Sequence, residues 1–149
     1  MSNVTIRQAT LVDLDLVAPL FDAYRQFYRQ VSDLNAARNF LRARFDHGES
    51  IVFIAQDSAE AVGFTQLYPM FSSVSLARVY LLNDLYVAAS GRKQGVGTRL
   101  LNAAVEYARS LNAVRLMLST EVSNSTAQAV YEAAGWQREK TFYYYNFQV

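Results

Sequence analysis

The sequence predicts an α/β fold, a mixed sheet flanked by helices, over residues 1–149 as one domain. Three observations predict it. Hydrophobic residues make up 52% of the chain and charged residues 18%, the balance of a globular protein that buries a core without disulfides. Apolar runs of strand length alternate with longer stretches whose apolar residues recur every three to four positions. The stretch from Val79 to Leu111 reads as strand, glycine-containing basic loop and amphipathic helix in direct succession.

Val4-Thr5-Ile6-Arg7 alternates and reads as a first strand. Thr10 and Asp13 resemble a capping box, with Asp in place of the usual Glu or Gln. A helix follows through Leu11, Leu14, Val17, Ala18, Phe21, Tyr24 and Tyr28, and Pro19 within it is expected to kink or split it. Ser32 or Asp33 caps a second helix carrying Leu34, Ala37, Phe40, Leu41 and Phe45, which Gly48 ends. His47 in that last turn reads as a surface residue at the helix C-terminus. Ile51 to Ala55 and Ala61 to Tyr68 read as a hairpin around the polar turn Asp57 to Glu60, with Pro69 to Ser75 as a loop. The Val79–Val87 strand is apolar on both alternating sets, as suits a strand covered on both faces, and only Asn83-Asp84 break it. Its helix presents Val96, Leu100, Leu101, Ala104, Ala108 and Leu111 on one face. Val114 to Leu118 is a further strand, a helix starting at Ser123 or Asn124 stops at Gly135, and 136–141 and 142–147 are expected to close the sheet as two strands. The order is β-α-α-β-β-β-α-β-α-β-β.

Composition excludes several classes of chemistry. With no cysteine there is no disulfide framework and no thiol nucleophile, and a single histidine leaves little material for a metal centre or a Ser-His-Asp relay. A formal net charge of +1 offers no broad nucleic-acid footprint, so any cationic effect is local. The opening MSNVTIRQAT has no basic start followed by an apolar run, and no uncharged apolar run reaches the roughly 20 residues that span a bilayer. A soluble, cytoplasmic protein with no metal, no nucleic-acid partner and no membrane partner is expected.

The loop Gly91-Arg92-Lys93-Gln94-Gly95-Val96-Gly97-Thr98 brings cations, glycines and a helix N-terminus together, the ingredients of an anion cradle. It is not a P-loop, because no Lys follows the last glycine. Nor is it a Rossmann fingerprint, because Leu100 stands where the third glycine belongs. A bland alternative is a glycine-softened strand-to-helix turn with a solvated Arg-Lys pair.

Arg92-x-x-Gly95-x-Gly97 resembles the Q/R-x-x-G-x-G/A loop of the GNAT N-acetyltransferases, and LNDLYVAASGRKQGVG resembles that family's fourth strand leading into its pyrophosphate loop. Downstream, Asn124-x-x-Ala127-x-x-x-Tyr131-x-x-x-Gly135-Trp136 is similar to the family's second motif, which usually ends Gly-Phe. One departure is Ala88-Ala89, where the family often carries a proline soon after the strand. The resemblance covers nearly the whole chain and implies a mostly antiparallel sheet, acetyl-CoA as co-substrate and a primary amine as acceptor. Tyr24 to Tyr28 and the aromatic C-terminus resemble more loosely the members that acetylate polyamines, histones or amino acids.

On that resemblance the pyrophosphate rests on the amides of Gln94, Gly95, Val96, Gly97 and Thr98, with Arg92 and Lys93 adding charge. The pantetheine arm follows the main chain of Leu85, Tyr86 and Val87 where the strand splays from its neighbour, and Asn124 holds the arm or the adjacent chain. A main-chain N–H near Val87 is placed to stabilise an oxyanion. Tyr131 falls at the general-acid position, and a phenol of pKa about 10 can protonate a leaving thiolate of pKa about 8.5. For the base, Asp84 is the first candidate, since a carboxylate within an apolar strand has a raised pKa; a structural carboxylate or a binder of the cationic substrate are its alternatives. Glu121 is second. Tyr24, Tyr28 and 143–145 are lining candidates for the acceptor, a small-molecule or peptide amine. The aromatic C-terminal strand equally suits a subunit interface, so a homodimer is one expectation. The leading expectation is an N-acetyltransferase; the alternatives are an acetyl-CoA sensor without turnover and a nucleotide- or nucleic-acid-binding domain.

Overall fold

The computed structural model describes residues 3–149. The chain forms two compact units, one ending at Ser119 and one spanning Thr120–Val149. The first carries a five-stranded sheet ordered β1-β2-β3-β4-β5, from β1 (Val4–Gln8), β2 (Ile51–Asp57), β3 (Glu60–Ser72), β4 (Ala77–Val87) and β5 (Arg115–Met117). The first four pair antiparallel and β5 runs parallel to β4. Helices α1 (Leu14–Phe27), α2 (Leu34–Asp46) and α3 (Val96–Ser110) complete the unit.

The period-2 alternation of the strands sorts the core into two faces. Val52, Ile54 and Phe64 pack with Val17, Phe21, Leu41 and Ala37 of α1 and α2. On the other face, the Tyr107 ring of α3 meets the edges of Phe53 and Tyr80, with ring centroids 5.7 and 5.6 Å away. Gly63 lies under α3, where a Cβ would come within 3.3 Å of both Leu100 and Val96. The α3 stripe read from the sequence is buried from Val96 through Ala108, while Leu111, just past the helix, is exposed.

Several expectations are corrected. Pro19 does not split α1: a short 3-10 turn at Leu11–Asp13 leads into one helix of 14 residues. A proline there deletes a single donor, the bond to the carbonyl of Asp15, and the buried stripe on both sides holds the helix together. The expected capping box of Thr10 and Asp13 is made: Asp13 accepts from the Thr10 N–H at 2.8 Å, and it also pairs with Arg7 at 2.8 Å. Asp33, not Ser32, caps α2 by accepting from the Ala36 N–H at 3.0 Å. The expected loop 69–75 is largely strand: β3 continues to Ser72, with Pro69 opposite Tyr80. Pairing with β2 ends at Leu67, so the missing Pro69 donor falls where β3 is an edge. His47 is exposed at the end of α2, its Nδ1 2.8 Å from the Ala43 carbonyl, as expected.

Two bulges shape the middle of the sheet. Ala55 and Gln56 face Gly63 and Ala61, leaving Val62 as an extra residue of β3. Gln66 and Leu67 face Asp84 and Leu82, leaving Asn83 as an extra residue of β4. The polar pair that breaks the apolar pattern is thus a bulge within a continuous strand, which re-aims the side chains on either side of it.

In the second unit, α4 (Ser125–Ala133) is capped by Asn124, whose side-chain oxygen accepts from the Ala127 N–H at 3.1 Å. Gly135 closes the helix with φ +95° and the Trp136 N–H returns to the Tyr131 carbonyl at 3.0 Å. The two closing strands expected at 136–141 and 142–147 are absent: residues 136–149 form no strand. Alternation permits a pleat but does not supply a partner, and here the Glu139 carboxylate accepts from the N–H groups of Thr141 and Phe142 at 2.5 and 3.1 Å. Those donors are satisfied locally instead of by a ladder.

Candidate active site

Strand β4 organises the site because its C-terminal half serves two different features. Past Val87, the chain runs through Ala88, a 3-10 turn at Ala89–Gly91, and then Arg92 to Gly95 ahead of α3. The Val62 bulge fastens this loop: the Ala88 N–H donates to the Val62 carbonyl at 2.8 Å, and Gly91 lies so close that a Cβ would come within 2.9 Å of the Val62 Cβ. Gly95 has φ +72°, the left-handed region that glycine enters without strain, and it turns the chain into the helix. The first intrahelical bond runs from the Arg99 N–H to the Gly95 carbonyl at 3.0 Å, so the amides of Val96, Gly97 and Thr98 have no partner within the helix. Beside Gly97 there is open space: a Cβ at that position would find nothing nearer than a Val87 methyl at 3.9 Å. Arg92 is held over the strand end by Nε donating to the Val87 carbonyl at 3.0 Å, and Gln94 donates to the Ser90 carbonyl at 3.2 Å. Free amides, a positive helix end, an anchored guanidinium and room beside Gly97 fit a phosphorylated ligand.

The ladder between β4 and β5 is short, because β5 ends at Met117. Parallel pairing with β5 covers only Val79, Tyr80 and Leu81, although β4 runs on to Val87 against β3. The β5-facing edge of Leu85, Tyr86 and Val87 therefore lies outside that ladder. The Tyr86 side chain turns to the α1 face, where its ring is 6.4 Å from that of Tyr24.

Before the loop, the Asn83 bulge turns Asp84 toward α1 and α2. Asp84 is buried to 3% exposure, and it is the carboxylate at the base of a cavity of about 480 Å³ walled by Phe21, Tyr24, Tyr28, Phe40 and Tyr68. Gln66 Nε2 donates to Asp84 Oδ2 at 2.6 Å and Asn83 Nδ2 to Oδ1 at 2.9 Å. Tyr24 Oη donates to the Asn83 carbonyl at 3.2 Å. Burial pushes the Asp84 carboxyl above its ordinary value, and the hydrogen bonds from Gln66 and Asn83 only partly oppose it. Burial, then the Asp84 charge, likewise raises the phenols of Tyr24 and Tyr68, so both stay protonated. Such a carboxylate can hold an ammonium ion and can accept its proton.

Tyr24, Tyr28 and Asp84 thus meet in one cavity, and Arg92 to Thr98 meet at one helix end. Tyr68 and Arg25 join the cavity lining, and Gln66 supports Asp84 from beneath through its hydrogen bond; none of the three was a site candidate from the sequence. A signal for two of them was present: Phe64, Gln66 and Tyr68 share one face at period 2, so a fully buried Gln66 marks a polar spot in an apolar strand. Asn124 spends its side-chain oxygen on the α4 cap, which leaves its amide N–H groups as donors, and Tyr131 lies on α4. Among the described residues no group of three or more His, Cys, Asp or Glu is placed to hold a metal ion, and no helix is long and apolar enough to cross a membrane.

The family model for the acetyltransferase (GNAT) family matches residues 17–136. The chain belongs to the GNAT family. The uncharacterized N-acetyltransferase YhfO of Bacillus subtilis is 48% identical over 146 residues, covering 98% of each chain. A probable acetyltransferase of Haemophilus influenzae is 33% identical over 106 residues, covering 70% of this chain and 73% of that one. The crystal structure of a probable acetyltransferase superposes with a TM-score of 0.93 at 46% identity, covering 97% of both chains. Membership makes the chain an acetyl-CoA-dependent N-acetyltransferase.

Proposed function

We propose that the chain transfers the acetyl group of acetyl-CoA directly to a primary amine, on a small molecule or a peptide, with residues 1–149 acting as one catalytic domain. The observation that carries this reading is Asp84: a buried carboxylate, aimed by a bulge into an aromatic cavity, on the strand whose end at Val87 leads into the anion cradle. Acetyl-CoA supplies the activated thioester carbon. The chain's own residues do the rest. Arg92, Lys93 and the amides of Gln94 to Thr98 hold the pyrophosphate, and the free edge of Leu85 to Val87 pairs with the peptide-like arm. The Asn124 amide holds the arm or the chain beside it. Asp84 binds the ammonium and takes its proton, which an alkylamine of pKa about 10 must lose before it attacks. Tyr131 donates a proton to the departing thiolate. Cytoplasmic residence and a homodimer through the aromatic C-terminal segment belong to the same reading.

Release of free coenzyme A with a panel of amino acids, polyamines, aminoglycosides and peptides tests the reading. Turnover with at least one amine is expected, together with thermal stabilisation by acetyl-CoA of about 2.7 kcal/mol at 100 times its dissociation constant. Stabilisation with no release from any acceptor would make the protein a sensor. Stabilisation by ATP or RNA and not by acetyl-CoA would overturn the reading altogether.

A further inference from the structure

We propose that the acceptor carries one ammonium and one carboxylate on an apolar body, as a hydrophobic amino acid does, and that Arg25 selects it through the carboxylate. This rests on the transferase reading of the Asp84 cavity and names the substrate class of that site.

Among the described residues, the charged ones lining the cavity are Asp84 and Arg25. Asp84 lies at its base and is buried; Arg25, one residue along α1 from Tyr24, is partly exposed. Among the described residues the Arg25 side chain makes no hydrogen bond and no ion pair. The neighbouring charges are already engaged. Asp22 feels Arg25 through space, but its oxygens accept from Ser32 Oγ at 2.6 Å and from the Asp33 N–H at 2.8 Å. Arg44 does not line the cavity, although its charge is felt at Tyr68; it lies 3.1 Å from a Glu49 carboxylate oxygen and stacks its guanidinium 4.6 Å from the Phe40 ring centre. Arg25 is therefore a cation at the cavity with its donors unspent, and the carboxylate at the base has no cation paired to it.

The walls decide the rest. Tyr24 stands edge-on to Tyr28 and Phe64, at 5.1 and 5.8 Å, and Phe21 stacks with Phe40 at 5.7 Å. Aromatic faces around a carboxylate suit an ammonium ion by cation–π attraction, and they bury an apolar body. A cavity of about 480 Å³ is within the range of small-molecule sites, roughly 300 to 1,000 Å³. With one acidic and one basic group, the site has no place for a second ammonium: a polyamine or aminoglycoside would set its further charges against Arg25. Electrostatic specificity of this kind works as much by repelling the wrong ligand as by attracting the right one.

The test compares matched acceptors on wild type and Arg25→Gln: phenylalanine against phenethylamine, leucine against isoamylamine, and spermidine as a polycation. Affinity is measured by calorimetry without acetyl-CoA, and coenzyme A release is measured separately. The amino acid of each pair is expected to bind roughly tenfold or more tightly than its decarboxylated partner, the scale of one charge-assisted contact. Arg25→Gln should abolish that difference by weakening the amino acids, with the plain amines bound as well as before or more tightly, since a cation that repels their ammonium is gone. Spermidine or the plain amines binding as well as the amino acids would overturn the proposal, as would Arg25→Gln weakening both members of a pair equally, or no acceptor binding at all. Amino acids that bind through Arg25 but release no coenzyme A would uphold the ligand class and defeat the transferase reading instead.

Discussion

Asp84, the proposed base, bears on stability as well. Its carboxyl titrates higher in the folded protein than in the unfolded chain, because burial disfavours the charge. A group of that sign contributes stability that is fully present below its unfolded value, about 3.9, and is lost as the pH rises through the folded value. Ionising Asp84 in the folded protein therefore costs stability as the pH rises. Asp84→Asn keeps an acceptor for Gln66 and removes the charge. Its melting temperature is expected to exceed that of wild type at pH 7, with the difference closing as the pH falls toward about 4, as calorimetry at several pH values would show. Turnover should fall roughly 10²- to 10⁴-fold, the usual worth of a general base, and the acid limb of the pH–rate profile should disappear. An unchanged profile with unchanged turnover would make Asp84 a structural carboxylate.

At the scale of the element, β4 with its loop and α3 separates what a glycine does for the fold from what it does for a ligand. Gly91 answers to packing, since any Cβ there meets the Val62 backbone and side chain. Gly97 does not, since a Cβ there meets only a Val87 methyl at 3.9 Å. The two alanine variants should therefore part company. Gly91→Ala is expected to cost about 1 to 3 kcal/mol in urea unfolding, as overpacking does. Gly97→Ala should leave stability equal or slightly higher, alanine being the better helix former, and should weaken acetyl-CoA binding roughly tenfold or more in a titration. Equal affinity in Gly97→Ala would mean that the open space beside it is not where the ligand lies. The same element shows why sequence patterning reads some features and not others. The glycines, the cations and the helix stripe are local signals. The bulge at Asn83 is a matter of register between two strands, and within the sequence it is only a polar interruption.

At the scale of the whole molecule, the proposed acid for the leaving thiolate and the proposed base belong to different units. Tyr131 lies in the second unit, on a helix whose cap and close are built by Asn124 and Gly135. If it protonates the leaving thiolate, Tyr131→Phe should lower kcat by roughly 10- to 1,000-fold while acetyl-CoA affinity is kept, a split that rapid kinetics and a binding titration resolve. Unchanged kcat would remove it as the acid.

Much of this is legible in the sequence. The strand-loop-helix of Val79–Leu111, the caps at Thr10, Asp33 and Asn124, and the alternation of β2 and β3 are encoded in neighbouring residues, because propensity, capping and side-chain period act over a few positions. The family likeness follows from the same local motifs, Arg92 to Gly97 and Asn124 to Trp136. What only the tertiary structure decided is pairing. It carried β3 through Pro69, denied strands to 136–147, and set Gln66 opposite Asp84 by inserting Asn83. It also brought Tyr24 and Arg25 of α1 and Tyr68 of β3 around one carboxylate of β4. Hydrogen-bond register and burial are properties of two segments at once, and one segment's pattern does not contain them.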